Sequence, residues 1–124
     1  MLHTDRFGRQ EGLERVAQAW SAGTGFDALV CFTDLLAFGA IRAFADAGVR
    51  IPEDVAIASI DDVQEAEYSV PSLTTIAPDK RASAAQAVDA VLALLDDDTR
   101  EPANIEIGYE LVVRESSGAG QPVR

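Results

Sequence analysis

The chain has 124 residues, of which 48% are hydrophobic, a length and composition that fit one small domain with its own core. Its 21 acidic and 10 basic residues give a formal net charge of -11, which repels phosphate backbones and anionic lipid, so this chain alone is not expected to bind DNA. No apolar run approaches the roughly 20 residues that a membrane helix needs, and the first residues lack the apolar core of a secretion signal. The single cysteine, Cys31, excludes an internal disulfide and a Cys cluster for zinc, and we expect a cytoplasmic protein.

The first predicted element is an amphipathic helix from Gly8 to about Ala22. Apolar residues recur in it at the spacing of one helical face, and we expect that face to be buried: Leu13, Val16, Ala17 and Trp20. Gly and Ser residues in "SAGTG" then end the helix.

The next segment predicts a strand, a helix and a second strand. The apolar run "DALVCF" at Asp27–Phe32 predicts the first strand, and the helical pattern of Asp34–Ala47 follows at once, with Thr33 or Asp34 placed to cap it. Pro52 fixes a turn before the second strand, Val55–Ile60. A strand, a helix and a second strand within about 35 residues form a βαβ unit, for which a parallel sheet with a right-handed crossover is expected.

The central helix is apolar on more than one side. Its large apolar side chains are Leu35, Leu36, Phe38, Ile41 and Phe44. A helix of this kind lies between two layers or presents its second apolar face to a partner subunit.

The remaining elements are less regular. A short strand is possible at Leu73–Ile76, and a third helix is predicted from about Arg81 to Leu95. The acidic run Asp96–Asp98 would oppose the negative end of the helix dipole, so we expect the helix to stop before it. Apolar and polar residues then alternate from Ile105 to Val113, which is typical of a half-buried strand.

Four polar residues follow the two strands of the parallel unit and fall on one rim of the predicted sheet, where such sheets bind ligands: Thr33, Asp34, Asp61 and Asp62. The acidic pair has three interpretations. Asp61 and Asp62 could close a strand-end turn, form a metal or phosphoryl-acceptor site with Asp34, or accept hydrogen bonds from a polyhydroxylated or purine-like ligand.

Binding is favoured over catalysis at this rim. The sequence has no Ser/His/Asp or Cys/His set, and His3 is its one imidazole. Phe7 could pack ahead of the first helix or stack on a sugar or base. We therefore expect no enzymatic activity, no cofactor and no metal, with a small Mg²⁺-dependent domain using Asp34, Asp61 and Asp62 as the less favoured alternative.

Several spaced motifs resemble the lactose/galactose repressor family of bacterial transcription regulators. They are "DALVCFTDLLAFGAIRAFADAGVRIPEDVAIASIDD", "YSVPSLTTI", a helix ending near "LLDD", and "ELVVRESSG". The resemblance runs from about Arg6 to Gly118, and the succession of motifs makes it specific.

The resemblance implies an α/β, periplasmic-binding-protein-like fold, a parallel sheet flanked by helices. Residues 1–124 would be the C-terminal portion of the effector-binding and dimerisation core, without the DNA-binding headpiece and most of the N-terminal subdomain. The implied partners are a small sugar- or nucleoside-class effector, a second copy of the chain, and DNA through the absent headpiece, with no membrane. A solute-binding protein of a transport system shares the fold, but an export signal would be expected there.

The resemblance also implies roles for particular residues. Phe7, in "DRFGRQEG", would stack on the effector, and Asp61 would bind its hydroxyls or ring nitrogens, with Thr33 and Asp34 beside them. The implied dimer surface comprises Leu35, Phe38, Ile41, Arg42, Tyr68, Val70 and Leu73. Thr33 stands where Asn is common in the family, and Pro78 where a polar residue is common, so the effector need not be that of any one relative.

Overall fold

The computed structural model describes residues 1–96 and 104–119. The chain divides into two compact units. The first comprises residues 1–77 with the segment from Leu111 onward, and the second comprises residues 78–110. The predicted rim residues all belong to the first unit.

Helices and strands alternate along the described part of the chain. In chain order they are α1 (Arg9–Ser21), β1 (Ala28–Val30), α2 (Asp34–Asp46), β2 (Ala56–Ile60), α3 (Glu65–Tyr68), β3 (Thr74–Pro78), α4 (Lys80–Asp96), β4 (Tyr109–Val112) and a 3₁₀ turn (Glu115–Ser117). None of the helices in the described part of the chain is both long and apolar enough to cross a membrane.

The strands form one sheet in the order β1-β2-β3-β4. β1 pairs in parallel with β2, with Leu29 opposite Ile57, and β2 pairs in parallel with β3, with Ser59 opposite Thr75. The predicted parallel α/β arrangement is thus confirmed. Because the three strands run in the same direction, the residues that follow them meet at one edge of the sheet.

The core of the first unit lies between β1–β3 and the two helices α1 and α2. Its buried apolar side chains are Val16, Cys31, Leu36, Ala37, Ala40, Ala43, Phe44, Val55, Ile57, Ala66 and Leu73. Trp20, Phe26 and Phe44 pack edge to face at one side of it, with ring centroids 5.3 to 6.1 Å apart.

Two glycines allow α1 and α2 to cross in contact. A Cβ on Gly12 would collide with the carbonyl oxygen of Leu36, and a Cβ on Gly39 would collide with that of Arg9 and lie 2.6 Å from the amide nitrogen of Leu13. No larger side chain fits at either position without separating the helices.

Some details differ from the sequence predictions. Ala17 is exposed, whereas Gly12 and Ala19 join Val16 on the buried face of α1, because the close crossing with α2 selects small residues. The segment between β2 and β3, which the sequence predicts to be irregular, contains the short helix α3. The last strand is shorter than the alternation of apolar and polar residues from Ile105 to Val113. Helix α4 continues through Asp96; the rest of the acidic run lies outside the described residues.

Candidate functional site

The rim of the sheet is formed where β1 and β2 end. Thr33 precedes α2 as its N-cap, and its hydroxyl oxygen accepts a hydrogen bond from the Leu36 amide at 3.2 Å. This cap fixes the start of α2 directly after β1. Thr33 remains half-exposed, so its hydroxyl is held at the rim and within reach of solvent.

Asp34 is fully buried beneath the rim. One carboxylate oxygen accepts hydrogen bonds from the hydroxyls of Ser59 at 2.6 Å and Thr75 at 2.7 Å, and the other accepts one from the Val63 amide at 2.8 Å. The protein itself thus supplies three donors to this carboxylate. With no exposed surface, Asp34 does not face a ligand at the rim, where the sequence had placed it.

Asp61 and Asp62 form a strained turn at the end of β2. Both have a positive φ, 124° and 48°, in the region that side-chain-bearing residues rarely adopt. The Asp61 amide donates to the Ile76 carbonyl at 2.9 Å, and the Asp62 amide donates to the Thr75 hydroxyl at 3.2 Å. Both aspartates are half-exposed, so the turn presents an acidic edge at the rim.

Arg114 is an important residue of the rim that the sequence reasoning missed. Its guanidinium donates to the Asp62 carboxylate at 2.8 Å and to the Leu73 carbonyl at 2.9 Å. The two side chains of the ion pair are only 17% and 30% exposed. The sequence indicates only that a basic side chain in so acidic a chain should pair with a carboxylate. It does not indicate which carboxylate.

Residues after Arg114 bind the sheet through side chains. The Ser116 hydroxyl donates to the Ile57 carbonyl at 2.7 Å and accepts from the Thr74 amide at 2.9 Å. The Glu115 carboxylate accepts from the amide and the hydroxyl of Ser72, at 2.8 and 2.9 Å, and these bonds lower the pKa of Glu115. The segment after β4 is therefore fixed to β2 and to the start of β3.

A cavity of about 780 Å³ opens beside β1 and α1. Phe7 and Thr33 both line it, with Arg15 as a cationic neighbour and Leu29 and Leu36 among the apolar walls. Phe7 is 60% exposed, so its ring can accept a ligand face. Asp61 is not part of this lining, and the structure therefore brings two of the four predicted ligand residues to one cavity.

Cys31 directly follows β1 as a buried core residue that also borders the cavity. Burial, followed by the nearby charge of Asp34, raises the pKa of the thiol to about 12. The thiol is thus neutral at physiological pH. Within residues 1–96 and 104–119, no group of three His, Cys, Asp or Glu side chains could hold a metal ion.

The predicted dimer residues fall into three groups. Arg42, Tyr68 and Val70 are exposed, the last two by 70% and 89%, while Leu35, Phe38 and Ile41 are half-buried along α2. Leu73 has no exposed surface and packs in the core, so it is not available to a second chain. Arg42 already pairs with Asp46 of its own helix at 2.9 Å.

Comparison with known proteins finds a matching family and similar transcriptional repressors. A family described as the periplasmic binding protein-like domain matches residues 2–117. The transcriptional repressor PurR of Pasteurella multocida is 34% identical over 110 residues, 89% of this chain, and the chain spans 33% of that relative.

Solved structures give the same result. A LacI-family regulator structure from Sanguibacter keddieii superposes with a TM-score of 0.85 at 34% identity, over 96% of this chain and 46% of that one. The Lac repressor dimer bound to operator and the anti-inducer ONPF superposes with a TM-score of 0.80 at 27% identity, over 89% of this chain and 38% of that one.

Proposed function

The chain belongs to the periplasmic binding protein-like domain family, in the form found in LacI-type transcription regulators, and from this premise we propose that it binds a small sugar- or nucleoside-like effector and carries a homodimer surface. The observation that carries the proposal is the rim of the sheet. It carries a capping hydroxyl and an acidic turn at the ends of two neighbouring parallel strands, and Thr33 also lines the cavity that holds the exposed ring of Phe7.

The chemistry of the rim suits a neutral, hydroxyl-rich or ring-nitrogen-rich ligand. Phe7 would stack on the apolar face of a sugar or base, and the Thr33 hydroxyl would donate to or accept from it. The Asp61 carboxylate would accept two donors from the ligand in charge-assisted hydrogen bonds. Asp34 is left out of the contact set, because its carboxylate is buried and bound by protein donors.

The regulatory part of the proposal concerns the whole protein. The chain spans about a third of the PurR relative, so DNA would be bound by a region outside these residues. Effector binding would then change DNA affinity through its different affinity for two states of the protein. The Lac repressor structure, a dimer on its operator with a small molecule, supports this arrangement by analogy. Such a protein would work in the cytoplasm.

The effector site is tested by isothermal titration calorimetry of the full-length protein with lactose as a sugar and guanosine as a nucleoside. The ligand that binds should lose about tenfold or more in affinity in Asp61→Asn, since one hydrogen bond to a charged group is worth about 1.5–3 kcal/mol. Phe7→Ala should weaken binding to a similar degree. Asp27→Asn, at the opposite end of β1, is the matched control and should leave affinity unchanged. Unchanged affinity in both Asp61→Asn and Phe7→Ala would refute the site.

A further inference from the structure

The carboxylate of Asp34 joins four segments of the first unit. Asp34 is the first residue of α2, and its partners lie in β2 (Ser59), in β3 (Thr75) and in the turn after β2 (Val63). All these bonds are between 2.6 and 2.8 Å, and the carboxylate is fully buried. Removing a buried carboxylate that accepts several hydrogen bonds lowers stability, because each donor left behind is buried without an acceptor.

Two routes lead from this carboxylate to the acidic turn. The direct one is the bond from the Val63 amide, immediately after the turn. The second passes through Thr75, whose hydroxyl donates to Asp34 while accepting a hydrogen bond from the Asp62 amide. The backbone conformation of Asp61 and Asp62 is intrinsically unfavourable, so bonds from outside the turn must maintain it.

We propose that Asp34 is a positioning residue, which holds the backbone of Asp62 and Val63 and thereby sets the place of the Asp61 carboxylate at the rim. It acts without touching the ligand. The effector part of this inference rests on the proposed function, whereas the effect on the turn does not. Since Asp34 also begins α2, the acidic turn and the helix of the proposed dimer surface are held together by one side chain.

Asparagine at position 34 tests this assignment with little change in volume. Its amide group has one acceptor oxygen in place of two, so it cannot accept hydrogen bonds from both hydroxyls and from the Val63 amide. Its NH₂ group is itself a donor and would lie against one of these donors. Asp46→Asn is the matched control, because Asp46 is an exposed acid on the same helix. A second pair is Thr75→Val, which removes the link to Asp62, and Thr75→Ser, which keeps the hydroxyl.

The first readout is amide hydrogen exchange by NMR on the 124-residue chain, and it needs no ligand. Asp34→Asn should speed exchange of the Asp62 and Val63 amides by about tenfold or more relative to amides in the middle of α2. The Val63 amide loses its acceptor, and the Thr75 hydroxyl, which accepts from the Asp62 amide, is no longer held by the Asp34 carboxylate. Thr75→Val should speed exchange of the Asp62 amide to a similar degree, whereas Thr75→Ser should leave that exchange near the wild-type rate. Unchanged exchange at both amides, or a uniform increase throughout the unit, would overturn the assignment. If Asp34→Asn does not fold, the Thr75 pair decides.

The second readout is a double-mutant cycle on affinity for lactose or guanosine in the full-length protein. Asp34→Asn should lower affinity by about tenfold with Asp61 present and by less than about twofold in the Asp61→Asn background, since coupled residues are not additive. Equal losses in both backgrounds would mean that Asp34 does not act through Asp61. Selective exchange at the turn without binding of either ligand would keep the positioning role and reject lactose and guanosine as the effector.

Discussion

The guanidinium of Arg114 lies 2.8 Å from the carboxylate of Asp62, although 52 positions separate them in sequence. The same guanidinium donates to the Leu73 carbonyl, and the Arg114 amide donates to the Thr74 hydroxyl at 2.8 Å. The segment that follows β4 thus joins the acidic turn to the start of β3. These contacts make Arg114 part of the rim.

Loss of this ion pair should destabilise the first unit. Arg114→Met keeps the aliphatic stem but leaves the half-buried Asp62 carboxylate and the Leu73 carbonyl without the donor, and we expect a loss of about 1–3 kcal/mol in unfolding free energy. Urea denaturation measures it. Arg42→Met is the control, since its pair with Asp46 is exposed, and it should leave the midpoint nearly unchanged. Equal midpoints for the two variants would contradict the role given to Arg114.

The crossing of α1 and α2 should not tolerate a methyl group at Gly39. Gly39→Ala places Cβ against the Arg9 carbonyl, and the resulting overpacking should cost about 1–3 kcal/mol despite the better helix propensity of alanine. Thermal denaturation followed by circular dichroism measures the loss. Gly25→Ala meets no atom within 4 Å and should change stability by less than about 0.5 kcal/mol. A Gly39→Ala variant as stable as wild type would mean that the helices separate at no cost.

Cys31 should react slowly with thiol reagents in the folded chain. At pH 8 its buried thiol is neutral, since its pKa is raised to about 12, so it should react slowly with dithiobis(nitrobenzoate) unless the core opens. We expect a rate at least about 100-fold below that of the urea-denatured chain. Labelling of the native chain at the denatured rate would show that β1 is not packed as described.

The same thiol makes stability depend on alkaline pH. Because the pKa of the folded thiol lies above the ordinary value of 9.0, its contribution is complete below pH 9 and is lost as the unfolded thiol ionises between pH 9 and about 12. Wild type should therefore lose stability relative to Cys31→Ala over this range, by up to about 1.4 kcal/mol per pH unit. Parallel stability curves for the two proteins would contradict the raised pKa.

The proposed dimer surface can be tested at Val70, which is 89% exposed. Val70→Asp introduces a charge that would be desolvated between two copies, so the full-length protein should become a folded monomer in sedimentation equilibrium. Ala17→Glu, at an exposed position of α1, is the control and should leave the dimer intact. A dimer of undiminished affinity in Val70→Asp would place the interface elsewhere.

Local sequence signals were sufficient for the order of α1, β1, α2 and β2. Periodicity and capping chemistry placed α2, and Thr33 caps it as one of the two predicted residues. They could not select the buried face of α1, because Gly12 is buried by the approach of another helix rather than by its own hydrophobicity. The short α3 has too few residues for a period to be visible.

The rim was predictable only in part, for a physical reason. Parallel pairing places the residues after β1 and β2 at one edge, and that followed from the sequence. Which carboxylate turns inward depends on donors that are far away in the chain: Ser59, Val63 and Thr75 lie 25, 29 and 41 positions from Asp34. No local pattern separates Asp34, which is buried and bound by the protein, from Asp61, which is half-exposed.

The edge-to-face contacts of Trp20 with Phe26 and Phe44 give the molecule a built-in optical reporter. Trp20 is the one tryptophan of the sequence and belongs to the first unit, so tryptophan fluorescence, excited selectively to avoid the signal of Tyr109, reports on that unit and not on residues 78–110. Far-ultraviolet dichroism, in contrast, includes the helix α4 of the second unit. Superimposable transitions from the two signals would mean that both units unfold together, and separated transitions would measure the stability of each.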